Sequence, residues 1–180
     1  KIHSFNSVFS IPVTKKQSIT FNANYSYQKN KNLNAAYTFD QALNLWKEND
    51  DYPQAQDNKL NQGILKTSYS FKLTNGLTLT LSGALDYYKN KGTLTNSADI
   101  NYHSCNFLPG ARLSVLGAGG HSLMFMYNRA AGHPDLRELD PTIDDSNPLY
   151  VSSGNPNLKD ATVDQFSVAY VYVHGKVNFS

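Results

Sequence analysis

The sequence predicts an all-β chain, an antiparallel up-and-down meander of about eight strands forming part of a transmembrane β-barrel. Three observations carry this reading. Side chains alternate apolar and polar with the period of two that a one-sided strand requires. The connections between runs alternate short and long along the chain. Most runs have about the 9–11 residues with which a tilted strand crosses a bilayer.

Composition agrees. Charged residues make up 17% and aromatics 12%, so the chain is too weakly charged and too aromatic for disorder. Asn, Ser and Thr fill the space that charge leaves, and the Ala/Glu/Lys/Leu excess of a helical bundle is missing. A net charge of +2 without a basic block gives no footprint for nucleic acid. The single cysteine, Cys105, excludes an intrachain disulfide. No apolar run reaches the length of a spanning helix, but strands that span a membrane look hydrophilic in bulk.

The first run, Lys1–Ile11, alternates loosely through Phe5 and Phe9. Pro12–Gln17 turns it into Ile19–Tyr27, where Ile19, Phe21, Ala23, Tyr25 and Tyr27 oppose Thr20, Asn22, Asn24 and Ser26. The long connection Gln28–Asn61 follows. Within it, Asp40 is placed to cap a short helix carrying Ala42, Leu45 and Trp46 on one face. Leu65–Leu73 and Leu77–Tyr87 are the cleanest strands. Tyr69 and Leu81 stand on their apolar faces, and Lys66, Ser68, Ser70, Lys72, Thr78, Thr80, Ser82 and Asp86 on their polar faces. Thr74-Asn75-Gly76 between them reads as a hairpin turn with positive φ.

After Lys89–Ser97 comes a long run, Asp99–Leu116, with a break expected at Pro109-Gly110 because proline cannot donate to a ladder. Gly117–Gly120 leads into His121–Arg129, which has Leu123, Phe125 and Tyr127 on one face and Met124 and Met126 on the other. Another long connection, Ala130–Asp160, precedes Val163–Val173, and His174-Gly175 turns into a short last run, Lys176–Ser180.

In a meander, connections of odd and even rank fall at opposite ends. Here one end receives only tight turns and the other every long loop, which is the asymmetry of outer-membrane barrels. A soluble sandwich has no reason to sort its loops this way. Tyr25, Tyr27, Tyr87, Tyr88, Tyr127, Tyr170 and Tyr172 recur near run ends, as an interfacial girdle would place them, although tyrosine also simply favours strands.

The segment 127–160 carries more. It reads Tyr127-Asn128-Arg129, then Pro134-Asp135-Leu136-Arg137-Glu138-Leu139-Asp140-Pro141, then Asn147-Pro148, then Gly154-Asn155-Pro156-Asn157-Leu158-Lys159. This resembles the barrel of TonB-dependent outer-membrane receptors, in particular the Bacteroidetes-type outer-membrane β-barrel family. In that family a Tyr-x-Arg strand end is followed by Pro-x-Leu-x-x-Leu-x-Pro and Gly-Asn-Pro-x-Leu-Lys-Pro-Glu. The matching positions are Tyr127, Arg129, Pro134, Leu136, Leu139, Pro141, Gly154, Asn155, Pro156, Leu158 and Lys159, while Asp160-Ala161 departs from the usual Pro-Glu.

The resemblance implies a large barrel in the bacterial outer membrane, with residues 1–180 as a partial β-barrel domain lacking the plug. It implies energised uptake of a scarce nutrient such as a metal chelate, glycan or peptide. The implied partners are outer-membrane lipid, an unknown nutrient ligand, and the TonB complex through parts of the polypeptide not in this sequence. No cofactor is implied. Read physically, Gly154 and Asn155 suit turn conformations, and Pro134, Pro141, Pro148 and Pro156 stiffen the loop, so it is expected to be ordered and packed on a neighbour.

No residues form a catalytic constellation, and the chain reads as non-enzymatic. His3, His103, His121, His133 and His174 lack metal-ligand spacing, and the loop acids Asp135, Glu138, Asp140, Asp144 and Asp145 lack the calcium-loop pattern. His103 and Cys105 merely share a strand face, and Gly117-Ala118-Gly119-Gly120 reads as a turn and not a phosphate loop. Trp46 is the one ligand-stacking candidate, set against the plainer role of anchoring its loop. Two alternatives stand beside the receptor: a soluble β-sandwich that binds glycans through Trp46 and tyrosines, and a complete eight-stranded barrel, which the short last run disfavours.

Overall fold

The computed structural model describes residues 1–33, 37–40, 43–48, 55–94, 99–147, 150–174 and 177–179. Along the chain these form β1 (Ile2–Thr14), β2 (Gln17–Leu33), β3 (Tyr37–Asp40), β4 (Leu45–Glu48), β5 (Ala55–Thr74), β6 (Leu77–Leu94), β7 (Ile100–Leu116) and β8 (His121–Gly132). Then follow α1 (Leu136–Leu139), β9 (Asp144–Asn147), β10 (Tyr150–Ser152), β11 (Ala161–His174) and β12 (Val177–Phe179). Eight of the strands make one antiparallel sheet in the order β1-β2-β5-β6-β7-β8-β11-β12. This is the expected meander, and it settles against a sandwich, since these strands lie in a single layer.

Register places the two faces as the alternation predicted. Ile11, Ile19, Tyr69, Leu81, Ala111, Tyr127 and Phe166 lie directly opposite one another across seven strands. Above that row, Phe9 opposes Phe21, and Leu65 opposes Leu85, which opposes Phe107. These side chains face outward with no protein above them: Phe9 is 62% exposed, Phe107 62% and Phe166 78%. The other face carries Asn24, Ser70 and Thr80, with hydroxyl contacts such as Ser70–Thr80 at 3.0 Å.

The turns of 15–16, 75–76 and 117–120 lie at one end of the sheet, and the strand ends Leu33, Ala55, Leu94, Ile100, Gly132 and Ala161, which bound the longer connections, lie at the other, so the sorting of loops holds. Two details differ. The strands reach 12 to 20 residues in β2 and β5 through β8, because parts of the expected loops pair instead of looping. Lys29 opposes Lys59, and Gln56 opposes Leu94, well past the apolar stretch. Also, β7 runs unbroken through Pro109. Its pairing with β8 begins only at Gly110, so the proline sits where that neighbour has been lost and no donor is needed on that side.

The Asn75-Gly76 hairpin forms without positive φ, which among described residues belongs to Asn44, Gly119 and Gly120. The Thr74 hydroxyl accepts from Gly76 N–H at 3.2 Å, just as Thr14 accepts from Lys16 at 3.2 Å, and each turn follows a register shift. Glycine at 76 is explained by space: a Cβ there would collide with the Leu116 carbonyl oxygen. The Gly117–Gly120 turn contains a short 3-10 segment with φ of 72° at Gly119 and 86° at Gly120.

Among the described residues of Asp40–Glu48 the expected helix does not form. Tyr37–Asp40 and Leu45–Glu48 pair as a hairpin, β3 with β4, in which Trp46 opposes Phe39. Strand-favouring aromatics on both sides of a tight turn outweigh a four-residue helical match, and the Asp40 carboxylate accepts from Leu43 N–H at 3.2 Å within that turn. Ala42, Pro148, Gly175, Lys176, Ser180 and the tip of Lys89–Ser97 lie outside the described residues.

Candidate functional site

The site grows from the place where β7 and β8 part. Above Gly110 and Asn128 the two strands no longer pair, whereas β8 stays with β11 up to the pair Gly132–Ala161. His133 and Asp160 continue from that pair as the neck of the 133–160 loop. The loop folds back over the polar face of β6 and β7.

His133 is clasped between two carboxylates. Its Nε2 lies 3.0 Å from Asp86 Oδ2 on β6, and its Nδ1 lies 2.9 Å from Asp160 Oδ1. Two acceptors on two ring nitrogens match the imidazolium, which carries an N–H on each. The ring stacks on Tyr88 at 4.0 Å between centroids and 12° between planes. All three charged side chains are at most 8% exposed. The other oxygens are used as well: Gln62 donates to Asp86 at 3.2 Å, Tyr102 donates to Asp160 at 2.7 Å, and Asn106 donates to Asp160. A buried cluster of this kind is stable only when its members are mutually satisfied, and here they are.

Burial alone would raise the Asp160 carboxyl. The donors around it, from Ser104, Asn106, Tyr102 and His133, outweigh burial and hold it at about 2. A free aspartate titrates at about 3.9. A depressed carboxyl stabilises the folded state fully above the free value and loses that contribution as pH falls through the folded one. The loop is therefore expected to open between about pH 4 and about pH 2. Amide hydrogen exchange of residues 133–160, corrected for intrinsic rates, should rise as pH falls through that window.

Past the neck, the predicted motif residues come together. Asp135 caps α1, accepting from Arg137 N–H at 2.8 Å and Glu138 N–H at 2.9 Å, while the Glu138 carboxylate accepts from Asp135 N–H at 2.9 Å. This is a capping box, and it explains two of the loop acids without a cation. Leu136 and Leu139 are the most buried side chains described, at 2% and 1%. Pro134 is buried beside them, and Pro141 is exposed. Leu136 rests against Gly92 of β6, where a Cβ would overlap its methyl group.

Gly154-Asn155 closes the far side. Gly154 N–H donates to Asp140 O at 2.7 Å, and Asn155 N–H donates to Glu138 O at 2.6 Å. A Cβ on Gly154 would lie 2.5 Å from the carbonyl oxygens of Arg137 and Glu138. Its φ is not in the left-handed region, so the glycine is needed for close approach and not, as expected, for an unusual turn. The Asn155 side chain accepts from Asn157 N–H at 2.9 Å across Pro156, and Leu158 and Lys159 are exposed. Gly154→Ala should loosen the loop while leaving the sheet intact, read as faster tryptic cleavage after Arg137 or Lys159 with unchanged strand circular dichroism.

Tyr127 and Arg129 point to the opposite, apolar face. Both reach Asp164 on β11: the Tyr127 hydroxyl donates at 2.9 Å, and the guanidinium donates through Nε at 2.8 Å and through Nη2 at 2.9 Å. They rivet β8 to β11 and take no part in the loop clasp. Trp46 is 66% exposed and meets Phe39 edge-on at 5.3 Å, remote from the clasp in the described contacts. Asp86, Tyr88, His133 and Asp160 were not singled out as one site by the sequence. The available signal was Asp86, the lone acid among the hydroxyl side chains on the polar face of β6.

The outer membrane protein beta-barrel family matches the chain over residues 1–180. The chain belongs to this family. Searches of curated proteins and of solved structures return no match. As an outer-membrane barrel protein, located in the bacterial outer membrane, it presents its apolar face to lipid and its polar face to the lumen. From Leu77 to Tyr87, β6 rises ~34 Å at ~3.4 Å per residue. At a tilt of ~40° that is ~26 Å across the membrane, against an apolar band of ~25 Å. Tyr25 and Tyr87 end the band on the outside of the wall, as a girdle would, but Tyr88 faces inward beneath the loop. The docked loop thus covers the polar face of β6 and β7 at the loop-bearing end of the sheet.

Proposed function

We propose that this barrel wall belongs to a TonB-dependent receptor of the Bacteroidetes type, which takes up a scarce nutrient without catalysing a reaction. The reading rests above all on the docked 133–160 loop. The residues that resemble the receptor motif, Pro134, Leu136, Leu139, Gly154 and Asn155, are those that fix it over the lumen face. A loop held there by a satisfied ionic clasp and two buried leucines can shape an entrance and present a fixed surface to a metal chelate, glycan or peptide. Energy for release inward would come from the TonB complex, engaged through parts of the polypeptide beyond these 180 residues.

The test uses the native polypeptide purified from outer membranes and the purified periplasmic domain of TonB. A saturable complex between them is the expected result. Absence of binding by the intact polypeptide would overturn the receptor reading and leave a barrel of other purpose.

A further inference from the structure

The ladder between β7 and β8 stops part-way up the wall. β7 pairs with β6 from Val115–Leu77 up to Ile100–Gly92, and β8 pairs with β11 up to Gly132–Ala161. Between β7 and β8 themselves, among the described residues, the last pair is Gly110–Asn128. Above it, Ile100–Pro109 and Arg129–Gly132 each have a strand on one side and an open edge on the other. Part of this seam lies at bilayer depth, because Phe107 opposes Leu85 inside the apolar band and Cys105 opposes Tyr87 at its girdle. An open edge facing hydrocarbon leaves backbone N–H and C=O groups without partners, a loss that barrels escape by closing.

Strand parity shows what holds the seam open. Tyr127, Arg129 and Ala131 stand on the lipid side of β8, and Asp164 and Thr162 oppose the last two from β11. The next residues of that parity are His133 and Asp160. Both nevertheless reach lumen-face side chains: His133 binds Asp86 of β6, and Asp160 binds Tyr102 and Asn106 of β7. The top of the β8–β11 hairpin therefore leans over the lumen face. It leans as one piece, because Tyr127 and Arg129 tie it to Asp164.

The missing part of the ladder has its register set already. Continued from Gly110–Asn128, it joins Pro109 to Arg129, Leu108 to Ala130, Phe107 to Ala131 and Asn106 to Gly132. Small residues on the β8 side leave room for Leu108 and Phe107. Forming these pairs returns the hairpin to the wall, and parity then carries His133 and Asp160 away from the lumen face. Clasp and ladder exclude each other, since each satisfies polar groups that the other leaves unpaired.

We infer that the β7–β8 seam is a two-position zipper, held open by the His133 clasp. With the clasp made, the loop covers the lumen face and the wall is parted above Gly110. With the clasp broken, the ladder extends toward the rim and the wall closes. The zipper belongs to the wall itself and stands apart from the nutrient carried and from any TonB dependence.

The experiment places cysteine pairs across the seam of the full native polypeptide, folded into liposomes and lacking its own thiol through C105S. Disulfide formation under a mild oxidant is read by gel shift. F107C/A131C and L108C/A130C are neighbouring in-register pairs, so one of them is the closer, non-hydrogen-bonded kind. L113C/F125C and S114C/M124C, already opposite one another, are the matching controls. With the clasp intact, the better seam pair should cross-link at least fivefold more slowly than its control. Adding H133L should bring it to within about twofold of that control. The native Cys105 with A131C, out of register, should stay slow in both backgrounds. Heat-modifiable gel migration verifies folding, and D160N serves if H133L fails to assemble. Seam cross-linking that ignores the clasp variants, whether fast or absent, would overturn the zipper. So would equally fast cross-linking of Cys105 with A131C, which would show fraying in place of a ladder.

Discussion

Leu81→Arg is expected to block assembly of the barrel into a bilayer. Leu81 stands mid-way along the apolar stretch of β6, 51% exposed, between Tyr69 and Ala111 on the flanking strands. A guanidinium there must enter hydrocarbon near the midplane, at a cost of about 2–4 kcal/mol. The native protein has about 5–15 kcal/mol to lose, so a single such change removes a large share of it. Ser70→Arg, one residue from Tyr69 on β5, is the control. Its side chain faces the lumen, where its hydroxyl hydrogen-bonds with Thr80, and the new charge stays hydrated. Folding into liposomes, followed by gel mobility before and after heating, should show the Leu81 variant unfolded and the Ser70 variant near wild type. Equal assembly of both would mean the face assignment is wrong.

That contrast also shows what was legible in the sequence. Strand alternation is a local property with a period of two, so Leu65–Leu73 and Leu77–Tyr87 declared their faces, and the pairing of Tyr69 with Leu81 follows once the intervening turn is found. Loop sorting was legible because it needs only lengths. Strand ends were not. Lys29–Leu33 and Ala55–Asn61 lack alternation and pair because each supplies the other's backbone bonds. Asp40–Glu48 showed the limit of short matches, since the same apolar spacing serves a turn of helix or the two sides of a hairpin. The clasp was out of reach for a different reason. His133 lies 47 residues from Asp86 and 27 from Asp160, and the three share no spacing rule, so only the return of the loop over β6 brings them together.

His133→Leu tests that clasp with the larger effect on the loop. The substitution keeps an apolar side chain of similar bulk against Tyr88 but removes both N–H donors. Asp86 and Asp160 are then left buried, on one side of the same neck, with no cation between them. Breaking a buried ionic arrangement by deleting one partner typically costs about 3–5 kcal/mol, because the uncompensated charge remains. The loop has an escape that the sheet lacks. It can leave the lumen face and hydrate both acids, since its main apolar hold is Leu136 and Leu139, whose burial is worth roughly 1.5–3 kcal/mol each. The expected result is selective: trypsin should cut after Arg137 and Lys159 at least tenfold faster, while strand content and gel mobility stay unchanged. A double variant, Asp86→Asn with His133→Leu, removes one of the stranded charges and should recover part of the protection. If His133→Leu alone leaves cleavage at the wild-type rate, the leucines and Gly154 hold the loop by themselves and the clasp is incidental. If the sheet unfolds along with the loop, the neck is integral to the pairing of β8 with β11, and the lumen surface of this barrel is one cooperative unit with its wall.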